Sequence, residues 1–375
     1  TALFMGLIIS AEEIVRDRKI LKRESFLNLS WFSYINSKVM MMFLVSALQT
    51  ISFVFAGNLI LGINGMTLTY WIILFSTSCL ANLIGLNISS AFNSAATIYV
   101  LIPFIIIPQL LFSGVLVKFD SLHRKENTHS EFVPIIGDLM PARWAYEALA
   151  TEQFENNRYE RNFFRYDMEI SQNTWYASFL TDALKKDLWI CFNYRDSSRY
   201  RELVADNLVK LREYIGKMSE LAGSGPLPGD IKSSLETGRF DDSVAIRTGT
   251  LLDNLAERFK EVRKKNILRK DSVTADLRAE IGDNALIELK NNHTNIRLRE
   301  IVLDEFSTQK IIETRDKIIQ KYEPAYMKPV SANGRAHFYA PYKKIGNKQA
   351  DTFWLNIIVL GSFPLCFTCS SISGF

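Results

Sequence analysis

The feature that most constrains this chain is a stretch of 79 residues, 39–117, that contains no Asp, Glu, Lys, Arg or His. Over the whole sequence 22% of the residues are charged, so the stretch does not resemble an ordinary soluble domain. A lipid bilayer excludes charge in this way, because a charged side chain at the centre of a membrane helix costs roughly 2.5–3.5 kcal/mol. The sequence therefore predicts a multi-pass membrane protein.

The uncharged stretch has the length of three membrane helices, since about 20 residues cross the hydrocarbon core. A Gly-Ile-Asn-Gly turn and a polar but uncharged segment, residues 87–93, supply two breaks. We place the three spans at residues 39–62, 66–86 and 95–117.

Both ends of the chain add to the membrane part. The terminal segment 352–375 is predicted to hold the last span, which is also free of charge. Residues 1–9 are apolar but too short to cross a bilayer, and they lack the basic start of a signal peptide. We interpret them as the end of a truncated span, and the chain as a fragment of a longer protein.

Charged residues are confined to residues 10–38 and 118–351. The first region is a short loop rich in Lys and Arg, which predicts a cytoplasmic location. Three spans then place residues 118–351 on the extracytosolic side. Because this second region mixes both signs of charge, we expect a folded domain there and no nucleic-acid partner.

The extracytosolic region is predicted to be mainly helical. Apolar residues recur at helical spacing in two stripes, separated by a Gly- and Pro-rich turn at 223–229. The stripes consist of Val204, Leu208, Leu211, Ile215 and Met218, and of Leu252, Leu255, Phe259 and Val262. We expect a helical hairpin, then a long helix over residues 284–321 and irregular chain over 331–348. The predicted fold class is all-α, a membrane helical bundle with a large helical insertion before the last span.

The sequence offers little catalytic chemistry. The predicted spans hold no ionisable acid, base or His, so a proton relay is disfavoured. Their polar side chains are expected to bond neighbouring helices or their own backbone. The four His do not follow metal-ligand spacing. Cys366 and Cys369 have the Cys-x-x-Cys spacing of a metal or redox motif, but they fall inside a span without a second pair, where we expect helix packing. We assign no catalytic residue, metal site or disulfide.

Three segments carry a resemblance to a known family. Residues 13–38 read EIVRDRKILKRESFLNLSWFSYINSK, residues 112–117 read FSGVLV, and residues 141–154 read PARWAYEALATEQF. In this order and relative to the spans, they resemble the membrane domain of ATP-binding-cassette (ABC) transporters of the G subfamily, which is ABC-2 type. The region 118–351 is much longer than the corresponding loop of that family.

The resemblance implies an ATP-driven exporter of the cytoplasmic (inner) membrane that works as a homo- or heterodimer by alternating access. ATP and Mg²⁺ would bind on a nucleotide-binding domain, upstream in the same chain or on a separate one. This chain has no Gly-x4-Gly-Lys-Ser/Thr sequence, and its nearest Gly-rich stretch, residues 223–230, lacks the phosphate-binding Lys.

The resemblance also implies roles for particular residues. Coupling to the nucleotide-binding domain would fall to Arg16, Arg18, Lys19, Lys22, Arg23 and Glu24. Pro103, Ile107 and Leu110 would line the central cavity, and Val115 and Leu116 would form an apolar valve at the exit. The alternatives are a solvated loop that only fixes topology, and ordinary lipid or helix packing along the third span.

Two other classes of function remain open from the sequence. One is a membrane-anchored receptor or scaffold whose outer helical domain binds a partner. The other is a membrane-embedded enzyme, which the lack of intramembrane His, Asp and Glu disfavours. A nucleotide-binding sequence upstream of Thr1 would favour the transporter.

Overall fold

A computed structural model describes residues 1–24, 30–119, 132–227, 229–236 and 238–372 of the chain. The side chains of Glu24, Trp31 and residues 364–372 lie outside this description. Within it the chain is all-α apart from two antiparallel strand pairs, as the sequence predicts.

Within the described residues, the first part of the chain contains seven helices. They are α1 (Ala2–Ala11), α2 (Glu13–Glu24), α3 (Trp31–Leu61), α4 (Thr67–Ala91), α5 (Ala95–Leu111), α6 (Ile135–Asp138) and α7 (Pro141–Glu155). Of these, α1, α3, α4 and α5 are apolar.

The second part is a helical domain that leads into the terminal helix. Its helices are α8 (Phe164–Thr174), α9 (Thr181–Tyr194), α10 (Arg201–Leu221), α11 (Gly229–Ser234), α12 (Asp242–Ile281), α13 (Asp283–His293) and α14 (Ile296–Val302). A π-helical turn, Trp175–Leu180, joins α8 to α9. Strand β1 (Ile311–Glu313) pairs with β2 (Ile318–Gln320), and β3 (Tyr342–Ile345) pairs with β4 (Lys348–Asp351). The terminal helix is α15 (Thr352–Ile372).

Helix α4 is the centre of the apolar bundle, since α1, α3, α7 and α15 all pack against it. Its contact with α1 depends on small residues. A Cβ on Gly6 would lie 2.7 Å from the backbone oxygen of Ser78 and 2.8 Å from Cβ of Ala81. Small residues at such a crossing let two helix backbones approach closely, as in membrane helix pairs.

Helices α3 and α4 are long and apolar enough to cross a membrane, and α5 is a shorter apolar helix. Most of α3 leaves its apolar side chains exposed, whereas α4 is largely buried within the protein. An exposed apolar surface of this extent is typical of a helix that faces lipid.

The span boundaries differ from the predicted ones for local reasons. Helix α3 begins at Trp31, eight residues before the predicted start, because Ser30 caps it by accepting a hydrogen bond from the backbone N–H of Ser33. Helix α4 continues into the predicted break as far as Ala91, because Asn87 and Ser90 donate their side-chain hydrogen bonds to carbonyls of the same helix. Helix α5 ends at Leu111 rather than at residue 117, and Gly114 follows in a left-handed turn at φ +84°.

The structure confirms the expected role of the polar side chains in the spans. Asn82 Nδ2 and Ser78 Oγ donate to Ser46 Oγ across α3 and α4, at 2.7 and 2.9 Å. Asn58 Nδ2 donates to Thr67 Oγ1 at 3.1 Å. Four hydroxyls donate instead to the carbonyl four residues earlier in their own helix, those of Thr50, Ser52, Ser76 and Thr77. Gln49 differs, since its Oε1 is buried and finds no hydrogen-bond partner within the described residues.

The two predicted stripes form helices, but the simple hairpin is wrong. The α10 stripe is buried throughout, and the α12 stripe is buried except at Val262. Helix α10 packs mainly against α9, a helix that the apolar spacing did not reveal. Helix α12, which has 40 residues, packs mainly against α8 and also against α9.

The predicted long helix over residues 284–321 is also wrong. Thr294 is extended, and the Asn295 side chain accepts a hydrogen bond from the backbone N–H of Leu298, which starts a new helix. After α14 the β-branched residues Ile311 and Ile312 enter β1. Irregular chain was expected over residues 331–348. The chain is irregular only as far as Pro341, because β3 begins at Tyr342.

Candidate coupling helix, translocation path and polar clamp

Helix α2 is fastened to the end of α4. The backbone N–H groups of Ile14 and Val15 donate to Ser89 Oγ at 3.0 and 3.1 Å. Arg18 donates from its guanidinium to the backbone oxygen of Ser90 at 3.0 Å. The bonds to Ser89 satisfy donors at the start of α2 that have no partner inside the helix, so α2 is attached to the bundle at a defined point.

A second attachment joins α2 to α3. Lys38 Nζ lies 2.8 Å from Glu13 Oε2 and 2.6 Å from Asp17 Oδ2, and the Tyr34 hydroxyl donates to Asp17 at 3.0 Å. Partial burial alone would raise the pKa of Asp17, but the hydrogen bonds from Lys38 and Tyr34 outweigh it and hold that pKa below its ordinary value. The carboxylate is therefore charged over the physiological pH range.

The remaining basic residues of α2 form an exposed face. The side chains of Arg16, Lys19, Lys22 and Arg23 are exposed, and Arg16 pairs with Glu13 at 2.6 Å. Arg18 differs from the others, because it is half-buried against α4. The side chain of the sixth predicted residue, Glu24, lies outside the described residues.

Sequence reasoning missed the groups that fasten α2. Glu13 and Asp17 lie four residues apart, a spacing that places two side chains on one helical face and could have indicated their shared partner. Ser89 gave no such signal, because a lone serine at the end of an apolar helix has many possible partners.

Helix α5 presents the predicted cavity residues on one surface. Pro103, Ile107 and Leu110 recur at spacings of four and three, and none of them is buried. The opposite face buries Ile98 and Ile102 beside α1. The two residues predicted for the valve, Val115 and Leu116, follow the end of α5 and are exposed.

A buried polar cluster, here called the clamp, ties α7 to β3 and α15. It consists of Arg143, Glu147, Lys343 and Asn356, each at most 2% exposed. Lys343 Nζ donates to Glu147 Oε2 at 2.7 Å and to Asn356 Oδ1 at 2.8 Å. Asn356 Nδ2 donates to the same Glu147 oxygen at 2.8 Å and to the Trp144 carbonyl at 3.1 Å.

Two cations share the single buried carboxylate of the clamp. Arg143 lies 3.5 Å from Glu147 and stacks 4.1 Å from the ring centre of Trp144. Burial favours the neutral form of Glu147, but Arg143 and Lys343 together lower its pKa. Burial lowers the pKa of Lys343 to about 8, against the opposing effect of Glu147. The carboxylate is thus the group on which the two cations depend.

The clamp explains why the segment 141–154 contains a buried Arg and a buried Glu. Pro141 begins α7, and Arg143 and Glu147 lie one turn apart on its buried face. The partner lysine follows 196 residues after Glu147, so no local spacing could indicate it.

Comparison with known proteins gives a match to the first part of the chain. A family model described as ABC-2 type transporter matches residues 1–154, which cover α1 to α6 and all but the last residue of α7. No curated protein and no solved structure matches the chain. This match supports, for residues 1–154, a membrane location and a part in an ABC transporter. Residues 1–154 are an ABC-2 type transmembrane domain.

Proposed function

We propose that this chain is the membrane part of an ATP-driven exporter, similar to the G subfamily, that works as a homo- or heterodimer in the cytoplasmic membrane. ATP and Mg²⁺ would bind on a nucleotide-binding domain that contacts α2. The polar region 118–351 would lie outside the cytosol. The observation that carries the proposal is the double attachment of α2, through Ser89 to α4 and through Lys38 to α3.

The attachments give a route for mechanical coupling. A nucleotide-binding domain that contacts the exposed residues Arg16, Lys19, Lys22 and Arg23 would push on α2 as it closes on ATP. Because α2 is hydrogen-bonded to α4 and ion-paired with α3, its displacement moves both helices. A ligand shifts the balance between inward-open and outward-open states only if its interactions differ between them. Contact of the nucleotide-binding domain with α2 would supply that difference.

The exposed face of α5 supplies the pathway in this proposal. Pro103, Ile107 and Leu110 would face the second half of the dimer and line a central cavity, with Val115 and Leu116 closing its outer end. The two prolines remove backbone donors from α5, which leaves carbonyls that can bond a neighbouring group or water.

The double charge reversal Lys22→Glu with Arg23→Glu tests the coupling. We expect ATP hydrolysis by the assembled transporter to continue while transport falls about tenfold or more, since like charges at an interface suppress the correct contact. The assay measures both rates in the same proteoliposomes.

The control is Lys264→Glu with Lys265→Glu, two exposed basic residues on α12. It should leave both rates unchanged. Unchanged transport in the α2 variant would overturn the docking role of α2. If the unmodified protein moves nothing in response to ATP, the receptor or scaffold alternative replaces the exporter.

A further inference from the structure

We propose that a cavity beside the outer end of α5 binds an amphiphile with one apolar chain and a zwitterionic head. The cavity has a volume of about 330 Å³ and lies between Gly114–Val115, α7, α14 and the turn Pro324–Tyr326. This volume falls at the lower end of the range of small-molecule sites, about 300–1,000 Å³.

The inner wall consists of aromatic rings in contact with one another. The ring centres of Phe119 and Phe338 are 4.9 Å apart, and those of Phe338 and Tyr339 are 4.1 Å apart. Tyr146 completes the wall, with its hydroxyl 3.3 Å from that of Tyr339. Such a surface offers an apolar chain a large contact area with few polar atoms.

Gly114 makes this wall possible. It adopts φ +84°, and a Cβ there would lie 2.7 Å from the rings of both Phe119 and Phe338. The backbone at the end of α5 can therefore approach the rings only because residue 114 has no side chain.

The rim of the cavity carries charges of both signs. Lys118 Nζ lies 2.7 Å from Asp304 Oδ1, with the Lys118 side chain largely exposed. Glu300 and Lys321 also line the cavity. An apolar interior with a paired cation and anion at its mouth is complementary to a zwitterionic amphiphile, because each charge of the head then meets its opposite.

Backbone strain is concentrated around the same cavity. In the described part of the chain, the non-glycine residues with positive φ are Asp304, Glu323 and Tyr339. Asp304 and Tyr339 line the cavity, and Glu323 precedes Pro324, which also lines it. Backbone strain of this kind clusters at ligand sites.

The cavity lies next to the proposed exit valve, which indicates a role for the bound amphiphile. Val115 lines the cavity and is also the first residue of the proposed exit valve. We infer that the bound amphiphile belongs to the class of molecule that is exported, a step that rests on the proposed function. Binding itself does not require ATP.

The experiment uses a lysophosphatidylcholine with a photoreactive diazirine in its acyl chain. The protein in nanodiscs is irradiated with this probe without ATP, and the labelled residues are identified by mass spectrometry. We expect saturable labelling at Phe119, Tyr146 and Phe338. The variant Ile301→Trp, on the exposed side of the cavity lining, should lower this labelling about tenfold, equivalent to about 1.4 kcal/mol of binding free energy.

The matched control is Ile296→Trp, an exposed isoleucine of the same helix that does not line this cavity. It should leave the labelling unchanged. Labelling only along the lipid-facing side of α3, or equal labelling in Ile301→Trp, overturns the cavity site. If the cavity residues are labelled but the probe is not exported with ATP, the binding site is supported and the export role is contradicted. If the probe is exported but the cavity residues are not labelled, the export role is supported and the binding site is contradicted.

Discussion

Replacing Glu147 with Ala should lower the free energy of unfolding by about 3–5 kcal/mol, the usual cost of removing one partner from a buried ion pair. Glu147 Oε2 accepts from Lys343 and Asn356 and lies 3.5 Å from Arg143. Without this carboxylate, two buried cations face each other with one partially exposed acid, Asp138, near Arg143. Equilibrium unfolding in mixed micelles with increasing SDS measures the change.

The control for this prediction is Glu152→Ala on the same helix. Glu152 is half-buried and accepts a hydrogen bond from the exposed Asn156, so we expect a loss of about 1 kcal/mol or less. A second variant, Glu147→Met with Lys343→Met, should recover part of the loss, because apolar residues of similar volume can replace a buried pair. Equal stability of Glu147→Ala and Glu152→Ala would show that the clamp does not hold the last helix.

Replacing Lys38 with Glu should uncouple ATP hydrolysis from transport. The change removes two ion pairs, at 2.8 and 2.6 Å, and places a third carboxylate beside Glu13 and Asp17. At about 1 kcal/mol for each lost contact between partly exposed groups, the attachment of α2 to α3 weakens by about 2 kcal/mol, or about thirtyfold. Transport and ATP hydrolysis are measured together in proteoliposomes.

The rescue variant adds Glu13→Lys to Lys38→Glu, which restores a pair of opposite charges between the same two positions. We expect it to recover part of the transport, because the bonds from α2 to Ser89 and Ser90 are not altered. The matched control is Lys217→Glu, which breaks an exposed ion pair with Glu213 on α10 and should leave coupling intact. Normal coupling in Lys38→Glu would contradict a role for this attachment.

Exclusion of charge is a property of each residue alone, which is why the sequence predicted the long apolar helices α3 and α4. The ends of these helices were harder to predict, because a charged or polar residue stays inside a helix only where a partner compensates it. Lys38 lies inside α3 because Glu13 and Asp17 neutralise it, and Asn87 stays in α4 because its side chain bonds Leu83. The partners of Lys38 lie in a different helix, so the residues around Lys38 alone do not reveal them.

The clamp shows the same limit of sequence-based prediction over a longer distance along the chain. The motif around Arg143 and Glu147 was recognised as a resemblance, but its physical reason lies in Lys343 and Asn356, which are brought to it only by the fold. The error over residues 284–321 has a local cause, because the cap at Asn295 and the strand at Ile311 competed with a weak helical pattern.

The central claim is that α2 faces the cytosol and the helical domain lies outside, with the apolar helices in the bilayer between them. The single substitutions Lys19→Cys and Leu268→Cys, both at exposed positions, test it in a variant whose four native cysteines are replaced. A membrane-impermeant maleimide applied to sealed right-side-out vesicles should label the cysteine at position 268 and reach the one at position 19 only after the vesicles are opened. Labelling of position 19 but not of position 268 in sealed vesicles would contradict the account.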